Sequence, residues 1–278
     1  MFNLFRMEGT RLRKSKYPYI MIVILVLSLS LALVGLDVAL KQMDLPKEEV
    51  QAETQEGLTI EFDASEKEMK SEDGEEVFLL PSNEFVLLTL TTVFASIYFT
   101  APYSHGFIKN FLGMQDKKEK YVIASYLQAC LYVLTLFLFA GVFMYFGLPW
   151  VKDGFFSISS YSKVLQIMAI QLIPHFSFLS VILLIATVTR SLPITLTTSI
   201  LYQTIFFRPV IGLLDTLLQK VVSFEEGFSL AFLTNRGNIE RIGLASSQND
   251  LVVSILVALV ISFVALFLSS VIIRKKDI

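Results

Sequence analysis

Long apolar runs alternate with polar gaps along this chain, and the runs have the length of bilayer crossings. A helix needs about 20 consecutive apolar residues to cross. Six segments qualify: 17–40, 84–103, 121–146, 164–188, 192–214 and 251–273. Only TRSLP, residues 189–193, separates the fourth run from the fifth. Pro193 suits the start of a helix, so the pattern predicts a helical hairpin there rather than one very long helix. The first run follows a basic leader. It is too long for a signal-peptide core and no small-x-small cleavage pattern follows it, so it is expected to be a retained helix.

Upstream of the first run stands MFNLFRMEGTRLRKSKYP. On a helical wheel Met1, Phe2, Phe5, Gly9 and Leu12 share a face, and Arg6, Arg11, Arg13 and Lys14 occupy the rest. Residues 1–16 are therefore expected to form an amphipathic helix lying along the membrane surface, its basic side near anionic lipid. Pro18 marks the turn into the first crossing. The plainer alternative is a basic flag that only fixes orientation.

Composition agrees with this pattern. Of 278 residues, 54% are hydrophobic, 24 are Phe and only 17% are charged, against about 25% in ordinary soluble domains. Mean hydropathy is +0.64. The fold class read from the sequence is an all-α membrane protein: six transmembrane helices (17–278), a preceding interface helix and both termini cytoplasmic. Net charge is −2, but the signs are segregated. The N-terminus, the 104–120 gap, the TRSLP turn and the C-terminus together hold 13 Lys/Arg and 4 Asp/Glu, and the remainder holds 10 and 21. The basic side is expected to be cytoplasmic.

Three gaps carry more than charge. Residues 41–83 hold 13 Asp/Glu and 4 Lys, which reads as an extracellular acidic loop. It is either a solvated loop or a collector of cationic peptides. GLTIEF (57–62) and EEVFLL (75–80) have strand-like composition and could pair as a hairpin. Residues 215–250 include apolar pieces, LLDTLLQKVVSF and FSLAFLTN. These predict short re-entrant helices or, failing that, a free loop. The cytoplasmic 104–120 gap reads SHGFIKNFLGMQDKKEK. With Ser104 as N-cap, a helix here would cluster Phe107, Ile108 and Phe111 and turn Lys109 away. Such a helix could dock in a groove of a soluble partner or simply lie on the membrane.

That gap, with the basic leader before it and the Lys-rich stretch up to Tyr121 after it, resembles the ABC-2 type permeases. The family's connection often reads G-x-x-K-N, matched by Gly106, Lys109 and Asn110. An Arg usual in the family is replaced by Lys117 and Lys118. The resemblance implies the membrane subunit of an ATP-driven exporter. Its coupling residues would be Gly106, Phe107, Ile108, Lys109, Asn110 and, on the TRSLP turn, Arg190. It also implies a soluble ATPase dimer, a second permease, identical or homologous, and a bacterial cell membrane. The cargo implied is an amphipathic molecule, either an antimicrobial or signalling peptide or a lipid-like compound. The chain has no G-x-x-x-x-G-K-[ST] phosphate loop. ATP and Mg are therefore expected on the partner, with no cofactor held by this chain.

Polar residues inside the runs are candidates for the transport path. His175, beside Pro174, could line a path or bond a neighbouring helix. Arg208 could snorkel outward or pair with Asp215. Thr198 and Gln203 belong to a hydroxyl-rich fifth run expected at a permease–permease seam. Gln128 and the lone Cys130 read as packing residues. No H-E-x-x-H or G-x-S-x-G motif points to an enzyme, and nothing points to nucleic acid. The rival readings are a non-transporting sensor or immunity protein binding peptides at its outer loops, and a secondary transporter, disfavoured because no internal repeat is visible.

Overall fold

The computed structural model describes residues 2–43, 73–83, 85–104, 118–153, 156, 158, 160–203, 211–214, 216–217 and 230–275. Every regular element among these is helical. In chain order they are α1 (Phe2–Lys14), α2 (Tyr17–Met43), α3 (Asp73–Asn83), α4 (Phe85–Ser104), α5 (Glu119–Gly147), α6 (Tyr161–Thr189), α7 (Leu192–Gln203), α8 (Asn235–Arg241) and α9 (Gln248–Lys275). Single turns of 3₁₀ helix, Leu148–Asp153 and Leu230–Leu233, follow α5 and precede α8.

Five helical runs among the described residues are long and apolar enough to cross a membrane: α2, α3 with α4, α5, α6 and α9. Of the most apolar stretch, 71% is buried in the α3–α4 run and 61% in α6, but only 17% in α2 and in α9. Helices α4 and α6 are thus the centre of the bundle. Helices α2 and α9 turn rows of bare aliphatic and aromatic side chains outward, Val23, Leu27, Leu31 and Val34 on one, Leu256, Val260, Phe263 and Phe267 on the other. Apolar surface on that scale is not tolerated by a monomer in water; it is what hydrocarbon solvates.

Helix α9 packs along α6 through small residues. Four of its five buried positions, Ser254, Ala258, Ala265 and Ser269, are small, the fifth being Ile273, and they are spaced to let two backbones approach closely. Of the two hydroxyls in this strip, Ser269 Oγ donates to the Ala265 carbonyl at 2.8 Å, and Ser254 Oγ is buried with no hydrogen-bond partner among the described residues. The sequence leads one to expect such a strip in the fifth run; the structure has one in the sixth.

At one end of the bundle α1 lies against the C-terminal half of α4 and the start of α5, and Arg190 of the α6–α7 turn stacks over Tyr103 at the end of α4. At the other end, α3 packs beside the start of α6, where Glu75 Oε1 accepts from the Ser160 amide at 2.8 Å. The turn between α6 and α7 is made by Arg190 in the left-handed region, φ 53°, with its amide bonded to the Ala186 carbonyl at 2.9 Å. That is the usual way to stop a helix, and Pro193 sits in the first turn of the next one.

Three expectations need correction. EEVFLL is helical, within α3, not a strand. Its acidic residues stand in the first turn, where they complement the helix dipole, and Phe78 and Leu79 are buried in the core. Burial of that one face decides over strand propensity. Residues 73–83 are accordingly not loop, and the second apolar run begins near Gly74. Ser104 is the last residue of α4, and the helix expected after it lies outside the described residues. The strand-like piece 57–62 and residues 105–117 lie outside the described residues. So does 204–210, so the fifth run is described as a helix over Leu192–Gln203, about 18 Å at 1.5 Å per residue, and again over 211–214.

The third correction concerns the face α1 buries. Leu4, Glu8 and Leu12 are its buried residues, whereas Phe2 is 77% exposed. The buried row is rotated from the one the wheel selected. A wheel assigns charges outward, but an acid and a base that neutralise each other can go in together.

Candidate functional site

Two polar clusters are built into this apolar bundle. The first holds α1 in place. Glu8 and Arg11, three apart on one helix, pair at 2.8 Å. Tyr98 of α4 donates its hydroxyl to Glu8 Oε2 at 2.6 Å. Arg11 donates to the Tyr98 carbonyl at 3.1 Å and to the Tyr121 hydroxyl of α5 at 3.2 Å, and its guanidinium lies 4.4 Å from the centre of the Tyr98 ring. Burial pushes the Glu8 carboxyl above the usual carboxylate range, and Arg11 and the hydroxyls of Tyr98 and Ser125 pull it part of the way back. Gly9 lets α1 approach closely, since a β-carbon there would stand 3.3 Å from Gln128 Oε1 on α5. Tyr132 of α5 adds a bond from its hydroxyl to the Pro18 carbonyl at 2.8 Å, fixing the elbow between α1 and α2.

The second cluster seats the short α8 helix against α6 and the end of α7, which is itself bonded to α4. Thr234 caps α8, its side chain accepting from the Gly237 amide at 3.0 Å. Ser177 of α6 donates to Asn235 Oδ1 at 2.9 Å, and Gln171 of α6 donates to the Ile242 carbonyl at 2.8 Å. Gln203 at the described end of α7 is fully buried. It accepts from Thr92, donates to Thr89 Oγ1 at 3.1 Å, and its carbonyl accepts from Arg236. Arg236 is also paired with Glu240 at 2.7 Å. At the end of α8, Arg241 pairs with Asp250, and Ser247 and Asp250 cap α9 reciprocally: Asp250 N–H to Ser247 Oγ at 3.1 Å, Ser247 N–H to Asp250 Oδ2 at 3.3 Å.

The predicted site residues fall out as follows. Gln203 is a hub of the second cluster. His175 is buried one turn beyond Gln171, with Nδ1 2.9 Å from the Gln171 carbonyl and its ring edge-on to Phe137 at 4.8 Å. A carbonyl only accepts, so the proton sits on Nδ1; Nε2 is buried with no hydrogen-bond partner among the described residues. Thr198 is exposed on the outer face of α7, while Thr195 and Ser199 face inward. The Arg190 guanidinium is 5.7 Å from the Tyr103 ring centre, with Nε and one terminal nitrogen buried and lacking hydrogen-bond partners among the described residues. Gly106, Phe107, Ile108, Lys109, Asn110, Arg208 and Asp215 lie outside the described residues. Among the described residues no group of three His, Cys, Asp or Glu could hold a metal ion.

Sequence reasoning missed Glu8, Tyr98 and Tyr121, and it missed Asn235 and Arg236. Glu8 left one signal: it is the only acid before Asp37, three residues ahead of Arg11. Arg236 left none, because its partners come from α7 and from its own short helix.

No protein-family model matches this chain, and neither does any of the curated proteins with which it was compared. The fold alone defines a class: an all-helical bundle with transmembrane character, compatible with a multi-pass membrane protein.

Proposed function

We propose that the chain is the permease subunit of an ATP-driven exporter, with six crossings, both termini cytoplasmic, and the 104–120 segment docked on a soluble ATPase dimer. The observation that carries this reading is the way both ends of that segment are tied to the bundle. Tyr98, one and a half turns before α4 ends, and Tyr121, at the start of α5, are bridged by Arg11, while Tyr103 lies under Arg190. A force on Phe107–Asn110 would reach α1, α4, α5 and the α6–α7 hairpin as one body, which is what rigid-body switching requires. ATP and Mg would be bound by the partner ATPase. The cargo is an amphipathic or peptide molecule, or a lipid-like one, and the setting is the cell membrane of a bacterium.

The test is co-purification. The tagged chain, extracted from its native membranes in mild detergent, is expected to bring down a phosphate-loop ATPase, and Phe107→Asp with Ile108→Asp to lose it. Recovery of the ATPase with both substitutions present refutes the docking role. Recovery of no ATPase with the unaltered chain favours the sensor or immunity reading instead.

A second permease would sit on the bare face of α7, where Ile194, Thr198 and Leu201 are exposed. With Cys130 replaced, Thr198→Cys is expected to form an oxidative cross-linked dimer in membranes and Ser199→Cys, on the buried face, to form none. Equal cross-linking from both positions rules out this seam.

A further inference from the structure

The short helix α8 lies deeper in the bundle than its charges could lie in hydrocarbon. Its depth is set by contacts with α6. Asn235, its first residue, is bonded to Ser177, and the Ile242 carbonyl just past its end is bonded to Gln171. His175 is the middle residue of α6. Measured from Val164, the first buried residue of α6, Gln171 is about 10 Å and Ser177 about 20 Å along the axis at the helical rise. A hydrocarbon core is about 30 Å thick. Helix α8 therefore begins near the middle of the crossing and climbs toward the end of the bundle that carries Lys163. Gln203 agrees: it stands about 17 Å along α7 from the α6–α7 turn, and its carbonyl accepts from Arg236.

Four charged side chains stand along this climb. Arg236 and Glu240 pair one turn apart, and Arg241 pairs with Asp250 at the start of α9. All four are between 23% and 30% exposed, so the bundle does not enclose them. Helices α4, α5, α6 and α9 carry charge, where they have any, only within three residues of their ends. The backbone from Ile242 to Ser247 is irregular, and Ala245 and Ser247 are exposed on it. Hydrocarbon solvates neither feature. Charged side chains inside a membrane face protein or water. Non-helical backbone at that depth persists only where it is buried in protein or lines a water-filled cavity.

We propose that the outward face of α8 lines a water-filled vestibule, open at the Lys163 end of the bundle and floored near mid-membrane where Arg236 meets the Gln203 carbonyl. The lining consists of two cation–anion pairs and is neutral in sum. It suits water and uncharged or zwitterionic groups rather than ions of one sign. In the proposed exporter the vestibule would take the polar side of an amphipathic cargo, which rests on that reading; its existence and the end at which it opens do not.

Helix α9 presents the opposite solvent at the same depth. The Tyr126 hydroxyl reaches the Phe176 carbonyl at 3.1 Å and also Ser262 of α9. Ser262 is thus level with Phe176, and Val260 is close to the level of Glu240. Val260 is 62% exposed, and its exposed neighbours are Leu256 and Phe263. That face is what lipid covers.

Thiol labelling of the full chain in its membranes, with Cys130 replaced by alanine, tests the proposal. The probe is a charged, membrane-impermeant thiol reagent. Lys163→Cys and Lys14→Cys, exposed at opposite ends of the bundle, report which side the reagent reaches. Glu240→Cys is expected to label from the same side as Lys163→Cys. Val260→Cys, at matched depth, is expected to label at least about tenfold more slowly, since a charged reagent does not enter hydrocarbon. Equally slow labelling of Glu240→Cys and Val260→Cys overturns the proposal, and so does labelling of Glu240→Cys from the Lys14 side. Cross-linking of Glu240→Cys to a second copy without labelling also overturns it, because protein rather than water then covers this face. Should Glu240→Cys fail to fold, Ala245→Cys on the exposed turn is compared with Leu256→Cys by the same criterion. None of these outcomes involves the ATPase, so the exporter reading can fail while the vestibule stands.

Discussion

Replacing Arg11 by alanine is expected to release α1 from the bundle and to lower stability in a way that depends on pH. Arg11 makes three polar contacts that leave its own helix or hold Glu8: the pair with Glu8, the bond to the Tyr98 carbonyl and the bond to the Tyr121 hydroxyl. Without it a fully buried carboxylate is left with the hydroxyls of Tyr98 and Ser125 and no positive charge beside it. Removing one member of a buried pair costs about 3–5 kcal/mol when the other stays charged. Glu8 can escape part of that cost by taking up a proton, and Arg11 is itself partly exposed, so about 2 kcal/mol is expected. The sign follows from linkage. Burial already raises the Glu8 carboxyl in the folded chain above its ordinary range, so the folded state holds that proton more firmly than the unfolded one. Its contribution is fully present below the ordinary carboxylate pKa and is lost as pH rises through the raised value. Loss of Arg11 raises that value further. The variant should therefore be closer to the parent near pH 5 than near pH 8, at about the same ionic strength. Thermal unfolding in detergent at the two pH values checks this, with trypsin cleavage after Arg13 or Lys14 reporting release of α1. A deficit of equal size at both pH values would mean that Glu8 is not buried as described.

Gly237→Ala is expected to have an effect as large by a different route. A β-carbon added at Gly237 would stand 2.0 Å from the Ala231 carbonyl oxygen and 2.6 Å from its carbon. Both are backbone atoms, held by the 3₁₀ turn Leu230–Leu233 and by the bonds that tie Thr234 to Ala231. No side chain can swing aside, so the turn itself must open. Overpacking of this kind costs about 1–3 kcal/mol, and here the upper end is expected. The loss should spread beyond the turn, because α8 carries Asn235 to Ser177 and Arg236 to the Gln203 carbonyl. A fall in melting temperature is the direct readout. Cysteine labelling at Ser177, fully buried under Asn235 in the parent, should rise in the same variant background. A Gly237→Ala chain with unchanged melting and no gain in labelling would show that α8 does not depend on this approach.

These two sites differ in how much of them the sequence announces. The hairpin of α6 and α7 is legible from TRSLP, because Pro193 and a five-residue break leave little other choice. The boundaries of α2, α5, α6 and α9 lie within a few residues of the apolar runs. The Glu8–Arg11 spacing is legible too, but only as a pair on one helix. That the pair faces inward depends on Tyr98 and Tyr121, 90 and 110 residues away from their partners. EEVFLL is ambiguous alone, since a short apolar run with β-branched and aromatic residues fits strand or helix. Contact of Phe78 and Leu79 with the bundle resolves it.

The sequence by itself determined the solvent and the material: enough unbroken apolar length, and too little charge, for anything but helices that can face hydrocarbon. Those are one-dimensional properties, and length and hydropathy read them directly. Tertiary structure alone decided which face of each helix is inside. In a chain where nearly every residue of a span is apolar, hydropathy does not distinguish the faces. The distinction is made by the few polar groups that must find partners out of reach of water, Glu8 with Arg11 and the tyrosines, Gln203 with Thr89, Thr92 and Arg236. Those partners come from distant parts of the chain and meet only once it has folded.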